Sequence, residues 1–209
     1  MTQLNTEPRR RGRPRTVPGS GADPREEILT SAAHLFSRKG MNATRITDIA
    51  AAVGVTPPTI YYHFDNLDAI ADELLRFVVE ESSAFAVHEV ERSGSYAERL
   101  TSLIHQHVSR LTSAPYDLWF VAGLTEADIP RFPAVTTHAQ AWRDAVASIV
   151  QEGITAGELR DVDPRLAVAM ISGLVYGALQ LRHEAGSVDA TEVAAFVAHS
   201  LAPAPRKRR

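Results

Sequence analysis

The sequence predicts an all-α protein of about nine helices, with a three-helix head at the N-terminus and a larger helical body behind it. Three observations carry this. Apolar residues recur at three- and four-residue spacing from Ile28 to Leu201, the period of a helix with one buried face. No segment shows the two-residue alternation of a half-buried strand. Start and stop signals bracket the apolar runs: Asp-Pro pairs at Asp23-Pro24 and Asp163-Pro164, and glycines at Gly40, Gly54 and Gly157.

Residues 1–22 are rich in Arg, Pro, Gly and Thr, lack periodicity and read as a disordered arm. Asp23-Pro24-Arg25-Glu26 opens the first helix, with Asp as N-cap, Pro at the first position and Glu three residues after the cap. Its inward stripe is Ile28, Ala32, Leu35 and Phe36, and Gly40 ends it. A short second helix buries Ile46, Ile49, Ala50 and Val53 and stops at Gly54. The third starts at Thr56 and Pro57 and turns Ile60 and Phe64 inward. A long helix follows from about Asn66 to Arg92. Ser95 with Glu98 forms a capping box for the next, whose stripe is Leu100, Leu103, Ile104, His107, Val108 and Leu111. A short helix is expected within 115–124, then helices at 134–156, 164–184 and 189–201. The resulting division is an arm at 1–22, a head at 23–66, a body at 67–202 and a basic tail at 203–209.

The 209 residues are 44% hydrophobic and 22% charged, an ordinary globular composition. Without cysteine there is no disulfide, thiolate metal site or thiol nucleophile. No apolar run reads as a membrane span or signal peptide, so a cytoplasmic chain with no membrane role is expected. Charge is unevenly placed. Residues 1–65 hold nine Lys/Arg against six Asp/Glu, while residues 66–205 hold nine against nineteen. A basic front on an acidic body points to a polyanion at the front.

Three short helices with tight turns, the middle one about eight residues long, form the frame of a helix-turn-helix at residues 45–64. Ala50 is small where two helices cross, Gly54 permits a left-handed turn, and Ile60 fills the angle between them. Thr56, Pro57, Thr59, Tyr61, Tyr62 and His63 occupy the remaining positions of the third helix. Such hydroxyl, phenol and imidazole groups reach phosphates and base edges in a major groove.

The run Thr44-Arg45-Ile46-Thr47-Asp48-Ile49-Ala50, then Gly54-Val55, then Thr59-Ile60-Tyr61-Tyr62-His63-Phe64 and Asn66 resembles the tetracycline-repressor (TetR) family over about residues 25–70. The resemblance implies a transcriptional regulator, a repressor that binds a palindromic double-stranded DNA operator as a homodimer and responds to a small-molecule effector. It places Arg45 and Thr47 at phosphates, Thr56, Pro57, Thr59 and Tyr61 at base edges or the adjoining backbone, and Tyr62 and His63 at the groove edge. One departure is Leu67, where the family often carries a phosphate-binding Lys after the Asn. The arm segment Arg11-Gly12-Arg13-Pro14-Arg15, preceded by Arg9-Arg10, resembles an AT-hook that lies in a narrow A·T-rich minor groove; the competing reading is a nonspecific basic tail.

In the body, the helix at 164–184 is apolar nearly all round and must be covered on more than one side. Leu166, Met170 and Leu174, with the small-residue stripe Ala169, Gly173 and Gly177, are the candidate dimer interface. The last helix, with Ala194, Ala195, Val197 and Leu201 apolar, is expected to join it. Phe77, Phe85, His107, Trp119, Phe120, Trp142 and Tyr176 are the candidates for an apolar effector cavity. His105 and His107 are two apart, face different sides of a helix and make no metal pair. No glycine phosphate loop, nucleophile elbow or zinc motif is present, so no cofactor or catalytic residue is expected. The alternatives are an architectural DNA binder without effector and a small all-helical enzyme.

Overall fold

The computed structural model describes residues 23–124 and 128–203, which form eight α-helices and two 3-10 turns. The arm residues Arg11, Gly12, Arg13, Pro14 and Arg15 and the tail from 204 lie outside the described residues.

The head comprises α1 (Pro24–Lys39), α2 (Ile46–Val53) and α3 (Pro57–His63). The Asp23 carboxylate accepts the Arg25 N–H at 3.0 Å and so caps α1. Ile28, Leu29, Ala32, Ala33 and Phe36 of α1 are buried, and Ile49, Ala50 and Ile60 close over them from α2 and α3. Gly54 sits at φ 79°, ψ 26°, and its N–H and that of Val55 both donate to the Ala50 carbonyl. A side chain at that φ is strained, so glycine fixes the sharp turn between α2 and α3.

The body comprises α4 (Leu67–Glu91), α5 (Tyr96–Thr112), α6 (Pro133–Thr155), α7 (Pro164–Ala185) and α8 (Ala190–Leu201). Asn66 caps α4 through the Ala69 N–H at 2.8 Å. Leu67, the residue that departs from the family pattern, is half-buried against the core. The first turns of α4 belong to the head: Arg25 of α1 pairs with Glu73, and the Arg25 guanidinium lies 4.7 Å from the Phe64 ring centre. Further along, α4 packs against α5 and α6, α5 against α8, and α7 across α5 and α6. The end of α4 is tied by the buried Arg99 of α5, which donates to the carbonyls of Glu89 (2.7 Å) and Val90. Carbonyls left over at a helix C-terminus are thereby satisfied.

Three features refine the expectations. The helix expected within 115–124 is a 3-10 turn, Trp119–Gly123. The Ser37 hydroxyl of α1 donates to the Asp117 carbonyl and accepts the Phe120 N–H, which pins this segment before an α-helix can propagate. Of the apolar residues of α8, Ala194, Val197 and Leu201 are buried, with α5 as the helix's main partner, leaving Phe196 exposed at 60%. Finally, α7 is long and apolar enough by composition to cross a membrane. In this fold it buries Ala167, Ile171, Val175, Ala178 and Leu179 on one face and bares Leu166, Met170, Tyr176 and Leu181 on the other.

Candidate nucleic-acid interface and effector cavity

The reading surface is assembled at α2 and α3. The Asp48 carboxylate accepts the Arg45 N–H at 2.8 Å and pairs with Lys39 of α1 at 2.6 Å. The Lys39 hydrogen bond, helped by the Arg45 N–H, holds this carboxyl below its ordinary pKa. These contacts fix the start of α2, where Arg45 and Thr47 are exposed. On α3, Ile60 is fully buried while Tyr61 is 54% and Tyr62 85% exposed. Thr56 and Thr59 share a hydroxyl–hydroxyl hydrogen bond at 3.2 Å across the first turn. Tyr62 and His63 stack edge to face with ring centres 5.1 Å apart. Pro57, Thr59 and His63 are half-buried at the flank of the same face. Thr44 is buried instead, donating to the Gly40 carbonyl, so it belongs to the turn and not the surface.

The body forms a partly open cavity of about 340 Å³ between α4, α5, α6 and α7. Its wall is mostly aliphatic, from Leu75, Val78, Leu111, Val135, Val175 and Leu179, and its volume lies at the small end of the ~300–1,000 Å³ usual for ligand pockets. His107, Trp142 and Tyr176 line it. The other four aromatic candidates do not. Phe77 packs edge to face on Tyr116 with Arg110 over its ring, and Phe85 lies near His88. Trp119 stacks on His183 of α7 and Phe120 meets Phe36 of the head, contacts made by the 3-10 turn away from the cavity wall. His107 borders the cavity and is half-buried, and burial of its ring lowers its pKa to about 4.

Sequence reasoning missed Arg131. It lies in the turn Ile129–Arg131, between two cavity-lining residues, Asp128 and Phe132. Its guanidinium donates to Asn42 of the head (2.8 Å), to Asp68 at the start of α4 (3.2 Å through Nε) and to Asp128 (3.1 Å). It thus joins the cavity wall to the turn between α1 and α2. The only sequence signal is an arginine wedged between Pro130 and Pro133, in a stretch without periodicity.

The candidate dimer residues are placed as follows. Leu166, Ala169, Met170 and Gly173 are exposed, while Leu174 and Gly177 are half-buried. A Cβ built at Gly173 or Gly177 meets nothing within 4 Å.

A helix-turn-helix that bares threonine hydroxyls and tyrosine rings, set on a helical body with an apolar cavity, defines a DNA-binding transcriptional regulator with room for a ligand. Two family models match the chain: bacterial regulatory proteins of the tetR family over residues 28–74, and the tetracyclin repressor-like C-terminal domain over residues 93–202. The chain belongs to the TetR family. It is 26% identical over 186 residues to the HTH-type transcriptional repressor KstR2 of Mycolicibacterium smegmatis, covering 85% of this chain and 88% of that one. The crystal structure of Mycobacterium smegmatis AmtR superposes with a TM-score of 0.73 at 28% identity, covering 88% and 87% of the two chains. The fold is shared with Bacillus subtilis FadR in complex with stearoyl-CoA, at a TM-score of 0.62 and 22% identity, covering 85% and 97%.

Proposed function

We propose that this regulator is a repressor that binds a two-fold symmetric operator as a homodimer and releases it when an apolar effector fills the cavity. The observation that carries the coupling is the Arg131 cluster. A molecule pressing on Phe132 and Asp128 in the wall displaces the same arginine that holds Asn42 and Asp68 at the head. An effector shifts the protein only if it binds one arrangement better than the other, and a wall that is also a head contact provides that difference.

Arg45 and Thr47 meet phosphates, Thr56, Pro57, Thr59 and Tyr61 face base edges, and Tyr62 and His63 hold the groove edge. The dimer forms through the bare face of α7, where Leu166, Met170, Tyr176 and Leu181 leave a continuous apolar stripe open. The likeness to the repressor KstR2 supports repression over activation. An operator as target places the work in the cytoplasm, and the arm adds A·T-rich minor-groove contacts on either side of the site. Selection of bound DNA from a random pool tests the reading. A palindromic consensus is expected. A consensus without two-fold symmetry, bound by a single chain, overturns it.

A further inference from the structure

Among the described residues, two polar ring atoms of the cavity wall have no hydrogen-bond partner: Nε1 of Trp142 on α6 and Nδ1 of His107 on α5. Their rings face each other with centres 4.6 Å apart and planes tilted by 31°. Trp142 is buried to within 7%. An indole N–H only donates, and a buried donor with no acceptor is costly, so a bound molecule that supplies one gains selectivity there.

Resting on the reading of this cavity as the effector site, we propose that the effector is a neutral, mainly apolar molecule carrying one hydroxyl or carbonyl oxygen that accepts the Trp142 N–H beside His107. The aliphatic wall from Leu75, Val78, Leu111, Val135 and Leu179 takes the carbon frame. A neutral imidazole serves both oxygens: it accepts from a hydroxyl, or in its other tautomer donates to a carbonyl. The other polar groups are less suited to this role. His138 is held by Ser83 at 2.8 Å, and Arg143 is half-buried and donates to Gln140 at 2.8 Å. The buried Asp128 carboxylate in the same wall is already paired with Arg131 at 3.1 Å, so its charge is compensated within the protein.

Calorimetric titration of the full-length protein with 2-decalone, decahydro-2-naphthol and decalin tests this, because the three share one carbon frame. The oxygenated probes are expected to bind roughly ten-fold more tightly than decalin. Trp142→Phe is expected to erase that margin while decalin still binds, which also reports that the cavity is intact. Should the variant fail to fold, the ratio in the wild type decides alone. Equal affinity for all three in the wild type, or a margin that survives Trp142→Phe, overturns the proposal and leaves the cavity as effector site. Binding of none, decalin included, overturns the effector-site reading itself.

Discussion

Gly173→Leu sets two effects of opposite sign against each other. Within one chain position 173 has room for a side chain, since a Cβ there meets no atom of another element within 4 Å. Glycine in a helix interior is roughly 0.8–1 kcal/mol less favourable than alanine, and leucine is close to alanine, so α7 itself gains on the order of 0.5–1 kcal/mol. Across a two-fold interface the result reverses. In the proposed dimer the exposed stripe Ala169–Gly173 is where two copies of α7 approach closely, and a leucine there overpacks the contact. Overpacking costs about 1–3 kcal/mol per site, and symmetry places the substitution on both subunits, giving about 2–6 kcal/mol. At about 1.4 kcal/mol per decade this weakens the dimer by roughly 30-fold to 10⁴-fold. Sedimentation over a concentration series reads the dimer constant, and far-ultraviolet circular dichroism reads the helix content. A monomer of undiminished helicity is expected. An unchanged dimer constant, or loss of helix together with the dimer, refutes the argument, the second because it shows that position 173 is packed within its own chain.

Four other outcomes are expected. Phe196→Ser on α8 removes a ring that is 60% exposed in one chain and should weaken the dimer if that ring is covered by the partner; sedimentation of this variant at wild-type association sinks that assignment. Thr59→Ala and Tyr61→Ala should each lower operator affinity by about 1–3 kcal/mol with the thermal midpoint unchanged, read by electrophoretic mobility shift. Val135→Phe, which fills part of the cavity, should lower operator affinity in the wild type but much less in Arg131→Met; a double-mutant cycle with coupling below about 0.5 kcal/mol rejects the Arg131 route. For His107, the folded pKa of about 4 lies below the ordinary imidazole value of 6.5, so the unfolded chain takes up the proton first. Its contribution is intact above pH about 6.5 and is lost as pH falls towards 4, amounting to about 3 kcal/mol; denaturant titrations should show that slope in the wild type and not in His107→Gln.

The head was legible in the sequence because its signals are local. Asp23-Pro24, Gly40 and Gly54 state where helices begin and end, and the helix-turn-helix leaves few positions undetermined between them. The α7 face was half legible: an all-apolar helix announces more than one cover, but only packing shows that Leu174 turns inward while Met170 does not. The cavity was not legible beyond aromatic content. Phe77, Trp119 and Phe120 have the composition of pocket residues, yet Arg110, His183 and Phe36 claim their rings, and those partners are distant in sequence. Arg131 was invisible for the same reason: its three carboxylate and amide partners come from residues 42, 68 and 128.

The 25 residues of α4 begin in the head, at Leu67 and Ile70, and run along the cavity at Leu75, Val78 and Val79. At 1.5 Å per residue such a rod is about 37 Å long. Swinging it by roughly 5° about its far end carries the near end through about 3 Å, close to the 3.4 Å rise of one base pair. In the proposed dimer two subunits would carry two such rods, and two-fold-related displacements would part the recognition helices by nearly two base pairs. A change in the body no larger than one side chain's rearrangement is therefore enough to put a correctly spaced pair of half-sites out of reach.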